Sequence, residues 1–301
     1  KGAGIKRYFI DRSVNDFGIG SKIKDISEDS EEAMILMDEI PYLSTLSSSL
    51  AALEQERKDL EQSNDELLGK IENLSRPALF VEGSTDKMIL ECAWKIFFPE
   101  KDRSFDIIPA GGTGGLKALK QKNLINQLLP ERAAIFAIAD NDAEGRDVIK
   151  GQNLHTGGLW RQHANWVWWC FLKPTKEYLD WASKYSLPEN NWSFIIEFCF
   201  SKELRHEAMV EGYYEHDNSI IHDIVKNWTI GGEWKQNEEL YINACINNSD
   251  DLYYFRPPKA NPYKIEFSKW VTRPERATKE NFAAFKSILV GLDNHIESLT
   301  S

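Results

Sequence analysis

Short apolar runs alternate with helical patterns between residues 78 and 172, and this alternation most constrains the fold of the 301-residue chain. The runs "ALFV", "SFDIIPA", "AAIFAIA" and "WVWWCFL" are bounded by turn residues, which predicts buried strands. Stretches such as "STDKMILECAWKIFF", with Ser84 or Thr85 as its cap, and "LKALKQKNLINQLL" lie between them and predict helices. After residue 174, the stretches "SFIIEFCFSKELRHEAM", "SIIHDIVKNW" and "NFAAFKSILVGLDNHIESL" also predict helices. Because a β-α-β-α-β order favours right-handed crossovers, the sequence predicts an α/β fold with a parallel sheet flanked by helices.

Acidic residues stand directly after two of the predicted strands. Glu82 and Asp86 follow "ALFV", and Asp140 and Asp142 follow "AIFAIA". The carboxyl ends of neighbouring parallel strands open onto one crevice, so these side chains should converge. Carboxylates that close together repel each other unless a cation lies between them. An all-oxygen cluster suits Mg²⁺ or Mn²⁺, and the sequence therefore predicts a divalent-metal site at the edge of the sheet.

Composition narrows the class of protein. The net charge of −11 argues against strong non-specific DNA binding by the bare surface, but it does not exclude an enzyme whose acids bind metal. No apolar run is long enough to span a membrane, no signal peptide opens the chain, and the four cysteines show no CxxC spacing. These features predict a cytoplasmic protein with no membrane partner.

Leucines repeat at alternating steps of three and four between residues 43 and 74, broken by Arg57 and Asn64. This heptad pattern predicts a coiled-coil arm over residues 43–76 and a homodimer formed through residues 43–74. The alternative is a long helix that packs against its own domain. Pro77 should end the helix in either case.

The two acidic clusters, with a Gly-rich turn between them, resemble the Toprim domain shared by topoisomerases, primases and several nucleases. Glu82 matches the family's Glu after its first strand, and Asp140 and Asp142 match the DxD after its third, in "DNDAEG". The resemblance covers about residues 77–175. It implies a Toprim-type sheet in which Glu82 takes part in catalysis.

Further details resemble the OLD (overcoming lysogenization defect) nucleases within that superfamily. The resemblance implies that Asp86 is a metal ligand, that Glu197 in "SFIIEFCF" adds another, and that Lys264 in "YKIEFSKWV" is the catalytic lysine. A capping or surface role remains the alternative for Glu197. Lys269 and Lys173 compete with Lys264.

The turn "GGTGG" offers backbone amides to a DNA backbone. The residues concerned are Gly111, Gly112, Thr113 and Gly114. The alternative is a tight turn that brings a helix against a strand.

The expected activity is that of a two-metal DNA endonuclease or nickase in phage defence, coupled to an ATPase domain or subunit outside this chain. Alternatives are another Toprim enzyme, such as a topoisomerase-like or RNA-processing enzyme, or a non-catalytic assembly module. The predicted divisions are a leftover or linker to a preceding domain (1–42), the coiled-coil arm (43–76), the Toprim core (77–175), and a helical insertion with the C-terminal completion of the domain (176–301).

Overall fold

The structure is a computed structural model. It describes residues 8–15, 18–25, 41–119, 134–149, 159–162, 167–184, 189, 192–217, 258–259 and 262–300. The chain divides into two compact units, Lys1–Gln62 and Ser63–Ser301. Within the described residues, no helix has the length and apolar character needed to cross a membrane.

The first unit contains a β-hairpin that the sequence pattern did not predict. Strands β1 (Tyr8–Asn15) and β2 (Gly18–Asp25) pair antiparallel over their whole length. The start of helix α1 (Pro41–Glu72) belongs to the same unit. Part of the segment predicted to be a leftover or linker is therefore regular structure.

A five-stranded sheet forms the centre of the second unit. Its strands are β3 (Ala78–Val81), β4 (Asp106–Pro109), β5 (Ile135–Ala139), β6 (Arg161–Gln162) and β7 (Val167–Phe171). They lie in the order β4-β3-β5-β7-β6, and every pair is parallel except β6 with β7. The predicted α/β class is confirmed, but the sheet is mixed rather than wholly parallel, because the short edge strand β6 runs against its neighbour.

Helices flank this sheet. They are α2 (Ser84–Phe97), α3 (Thr113–Ala118), α4 (Ala143–Ile149), α5 (Lys176–Lys184), α6 (Lys202–Val210), α7 (Tyr263–Val271) and α8 (Lys286–Thr300). Alternate strand residues enter two separate apolar clusters, with Leu79 in one and Phe80 in the other. Because both faces of the sheet are covered, its strands read as continuous apolar runs in the sequence.

The C-terminal turns of α1 pack against the sheet of the second unit. Leu67, Ile71 and Leu74 are buried in one of the two apolar clusters, and the ammonium of Lys70 donates to the carbonyl oxygen of Pro109 at 3.0 Å. This part of the leucine repeat covers the protein's own core, as the alternative interpretation held. Leu50 and Leu53, earlier in the repeat, are exposed.

Two predicted helices are broken where the sequence pattern looked continuous. The stretch "SFIIEFCFSKELRHEAM" forms a 3₁₀ helix (Ile196–Cys199), and α6 begins afresh after Ser201, whose hydroxyl accepts from the amide of Leu204 at 3.2 Å. The final amphipathic stretch likewise divides into a 3₁₀ helix (Ala283–Phe285) and α8. The helix predicted over "SIIHDIVKNW" lies outside the described residues.

Candidate metal centre

The first acidic cluster is built where β3 passes into α2. Gly83 is the N-cap of α2, a position that the sequence had assigned to Ser84 or Thr85. The Asp86 carboxylate accepts the Gly83 amide at 2.9 Å, and the Thr85 hydroxyl donates to it at 3.3 Å. These bonds hold Asp86 on the first helical turn, one turn beyond Glu82, at the carboxyl edge of the sheet.

The second cluster follows β5, where a glycine allows a very close approach of two segments. The amide of Gly145 donates to Oδ1 of Asp142 at 2.7 Å. A Cβ atom at position 145 would lie 2.0 Å from the carbonyl oxygen of Asp140. Only glycine fits here without movement of the backbone, so the Gly in "DNDAEG" sets how tightly α4 begins against the turn that carries both aspartates.

Two backbone hydrogen bonds bring Glu197 to these strand ends. The amide of Asn141 donates to the carbonyl oxygen of Phe194 at 2.8 Å, and the amide of Phe194 donates back at 3.0 Å. This bridge fixes the segment that leads into the 3₁₀ helix and its Glu197. The Glu197 side chain is 1% exposed, and its Oε2 has no hydrogen-bond partner among the described residues.

Lys264 approaches from α7. It lies one turn before Phe267 and Ser268, which are buried, and is itself partly buried on the same face of the helix. Lys269, the competing lysine on this helix, is exposed and pairs with Glu266 at 3.0 Å. Lys173 is exposed at the end of β7. Of these three lysines, Lys264 is the one that interacts with the acidic side chains.

Glu82, Asp86 and Asp140 line one small cavity, otherwise walled by apolar side chains. Burial raises the pKa of Glu82, and the neighbouring Asp86 carboxylate raises it further. Burial likewise raises the pKa of Asp86, to about 6, and raises that of Asp140 well above its ordinary value, with Asp86, Glu197 and Glu82 adding to the effect. The carboxylates therefore repel one another in a poorly solvated space.

Glu197 and Lys264 belong to the same electrostatic group. Burial raises the pKa of Glu197, while the ammonium of Lys264 lowers it. The carboxylate of Glu197 is in turn the main reason that the pKa of Lys264 lies above its ordinary value, followed among the charges by Asp140 and Glu82. Asp142 belongs to the same group, because its charge also raises the pKa of Glu82. Lys264 thus interacts with four carboxylates, those of Glu82, Asp86, Asp140 and Glu197, and the acidic side chains outnumber the basic ones.

The candidate ligands suit a hard divalent cation, because all of them are carboxylate oxygens. One of these, the buried Oε2 of Glu197, has no hydrogen-bond partner among the described residues that an ion would replace. Among the described residues, no group of three or more His, Cys, Asp or Glu side chains is arranged so that it could hold a metal ion as it stands. Asp86 and Asp142 instead use carboxylate oxygens to accept backbone amides. Ion binding would therefore require side-chain rotation toward a common point.

Comparisons with protein-family models, curated proteins and solved structures found no match. The convergence of the carboxylates and the lysine therefore carries the functional conclusion.

The Gly-rich loop packs against the site. Gly111 and Gly112 have φ of 90° and 97°, and the Gly112 amide donates to the carbonyl oxygen of Glu82 at 2.9 Å. The hydroxyl of Thr113 donates to the Glu144 carboxylate at 3.0 Å and also lowers the pKa of Glu82. These contacts fit the tight-turn alternative. The contact of Gly111, Gly112, Thr113 and Gly114 with a DNA backbone stays a prediction.

Arg205 is a part of the site that the sequence did not single out. It is 1% exposed on α6, its Nε donates to the carbonyl oxygen of Phe200 at 3.2 Å, and its guanidinium lies 5.0 Å from the ring centroid of Phe198. Its charge lowers the pKa of the neighbouring Glu197. No local pattern marks this residue, because its role depends on the break between the 3₁₀ helix and α6.

Proposed function

We propose that this chain is the catalytic part of a divalent-metal-dependent nuclease that hydrolyses phosphodiester bonds in DNA, with a Toprim-type layout and a resemblance to the OLD nucleases. The observation that carries the proposal is the meeting of acidic side chains from three separate segments with Lys264 from a fourth, at the carboxyl edge of the sheet. A purely structural module has no need to gather buried and half-buried carboxylates at one edge of the sheet, since their repulsion destabilises the fold.

In this proposal Mg²⁺ or Mn²⁺, as two ions, would be held by Glu82, Asp86, Asp140, Asp142 and Glu197. Divalent ions at such a site supply charge neutralisation of the phosphate and an acidified water. Asp140 and Asp142 stand two positions apart on one turn, and Glu82 and Asp86 stand four positions apart across the start of α2, so each pair could share an ion. Catalytic participation of Glu82 is part of the same proposal.

Lys264 supplies a fixed positive charge beside this site. An ammonium on a rigid helix stabilises the extra negative charge that a phosphodiester gains on the way to cleavage. We expect Lys264→Met to lower kcat by about 10²- to 10³-fold with metal binding retained. Lys269→Met is the matched control on the same helix, because Lys269 points to solvent, and it should cut at the parent rate.

Asp140→Asn tests the activity itself. Plasmid nicking in Mg²⁺ or Mn²⁺ is expected from the parent and from Asp180→Asn, which removes an exposed carboxylate on α5. The Asp140→Asn variant should lose this nicking activity. If Asp140→Asn nicks as well as the parent, the enzymatic proposal fails and an assembly module becomes the better interpretation.

The proposal extends to partners outside the chain. Leu50 and Leu53 are exposed at heptad spacing on α1, which favours pairing of this helix with a second copy. A mass by sedimentation equal to two chains is the expected result. Coupling to an ATPase domain or subunit and a role in phage defence rest on the resemblance to OLD nucleases.

A further inference from the structure

A second concavity lies beside the metal centre, between α4 and the β6-β7 edge of the sheet. Its volume is about 330 Å³, at the lower end of the range of ligand clefts, roughly 300–1,000 Å³. We call it the edge groove, and the lining residues that bear on binding are Arg146, Arg161, Trp169, Lys173, Glu189 and Trp192. Leu172 also lines the small acidic cavity, so the two spaces are neighbours.

The edge groove combines positive charge with aromatic rings. Among the described residues of its lining, Arg146, Arg161 and Lys173 are three cations, and Glu189 is the one carboxylate. This local excess of positive charge stands out on a chain of net charge −11. Guanidinium and ammonium groups along a groove are the common means of binding a phosphate backbone.

Aromatic side chains form the other part of its lining. Phe171 and Trp192 are partly exposed and offer ring surface. Trp169 is 1% exposed, and its indole N–H has no hydrogen-bond partner among the described residues. A buried donor without an acceptor costs free energy.

Arg146 connects the edge groove to the metal centre. It lies on α4, one turn after Asp142, and donates to the carbonyl oxygen of Asn141 at 3.0 Å. A phosphate beside Arg146 is therefore directly next to the turn that carries Asp140 and Asp142. A strand that follows the groove would lead one phosphodiester toward the carboxylates.

We infer that the edge groove binds an unpaired nucleotide of the nucleic-acid strand next to the bond that is cut, with Arg161 and Lys173 at phosphates and Trp192 stacked on the base. This rests on the proposed nuclease function. The volume of the edge groove, about 330 Å³, lies at the lower end of the range of small-ligand clefts, which fits one nucleotide unit as its occupant. Stacking on an aromatic face accepts any base, so the groove selects for single-stranded character and not for sequence.

Binding without cleavage tests the inference. Fluorescence anisotropy of a labelled short oligothymidylate is measured with the full chain in EDTA, and a blunt duplex of two separate strands, which has no unpaired nucleotide, serves as competitor. Trp192→Ala should weaken binding about five- to 150-fold, whereas Trp192→Phe should restore most of it, because stacking needs only a ring. Arg161→Gln should also lower the salt slope of binding by about 0.7, the loss of one phosphate contact on a single strand.

Lys95→Gln is the matched charge control, since Lys95 is an exposed lysine near the C-terminal end of α2, more than two helical turns from Asp86. It should bind like the parent, and unchanged thermal midpoints show that the variants fold. Wild-type affinity in both Trp192→Ala and Arg161→Gln overturns the inference, as does equal affinity for the blunt duplex.

The same variants distinguish this inference from the nuclease proposal. If Asp140→Asn stops cutting while the groove variants bind and cut like the parent, the groove inference fails and the nuclease stands. If the parent binds the oligonucleotide through the groove but does not cut DNA with either metal, the nuclease proposal fails and the groove inference stands.

Discussion

Asp86→Asn should stabilise the metal-free protein at pH 8. Burial first, and then the charge of Glu197, raise the pKa of Asp86 from 3.8 to about 6, a difference worth about 3 kcal/mol. The pKa of Asp86 is higher in the folded state than in the unfolded state. The contribution of this carboxyl to stability is therefore complete below pH 4, and it is lost as the pH rises through 6 and the carboxyl ionises in the folded protein. Asn carries no charge and still offers an oxygen to the Gly83 amide.

The assay is thermal unfolding in EDTA at pH 5 and pH 8. At pH 8 the midpoint of Asp86→Asn should exceed that of the parent by about 6 °C, taking about 3 kcal/mol and roughly 2 °C per kcal/mol for a large domain. The gap should shrink at pH 5, where the parent carboxyl is mostly protonated. Asp180→Asn, which removes an exposed carboxylate, should leave the midpoint unchanged.

Thermal unfolding in the presence of Mn²⁺ gives a second measurement of the same repulsion. The ion should raise the midpoint of the parent at pH 8, because binding to the folded state relieves the repulsion, and should raise that of Asp86→Asn less. A midpoint for Asp86→Asn at or below the parent value at pH 8, with the Asp180→Asn control neutral, would refute the idea that buried charge repulsion destabilises this site.

Two further perturbations concern packing and ion pairing. Gly145→Ala should lower the free energy of unfolding by about 1–3 kcal/mol and reduce nicking, because the added Cβ would overlap the Asp140 carbonyl oxygen. Urea unfolding measures the stability and the plasmid assay measures the nicking. Normal nicking by this variant would contradict the prediction. Lys101→Met should cost about 1–3 kcal/mol, because it leaves the buried Asp293 carboxylate without its ammonium partner at 2.5 Å. In urea unfolding, the double variant Lys101→Met/Asp293→Asn should regain part of the stability that Lys101→Met loses. If the losses of the two single variants simply add, the ion pair does not contribute to stability.

Local patterns predicted much of the α/β core. The runs at β3, β5 and β7 are continuous and apolar because both sheet faces are covered, so their strand character is visible without tertiary information. The positions of Glu82 and Asp140 follow from the same rule, since each comes directly after a parallel strand. The hairpin of β1 and β2 and the edge strand β6 carried no comparable apolar run and were missed.

The remainder of the site depended on contacts between distant segments. Glu197 reaches the strand ends through the two hydrogen bonds between Asn141 and Phe194, and Lys264 through the buried face of α7. The leucine repeat predicted α1, but only packing showed that Leu67 and Ile71 cover the protein's own sheet.

The sequence by itself determined the strand ends and the acids that follow them, because alternation of apolar runs and turns is a local property of the chain. Only the tertiary structure decided which lysine meets those acids, that Arg205 interacts with Glu197, and that cations and indoles line the edge groove. The physical reason is that burial and electrostatic interaction depend on distance in space, which residues far apart in the sequence acquire only when the chain folds.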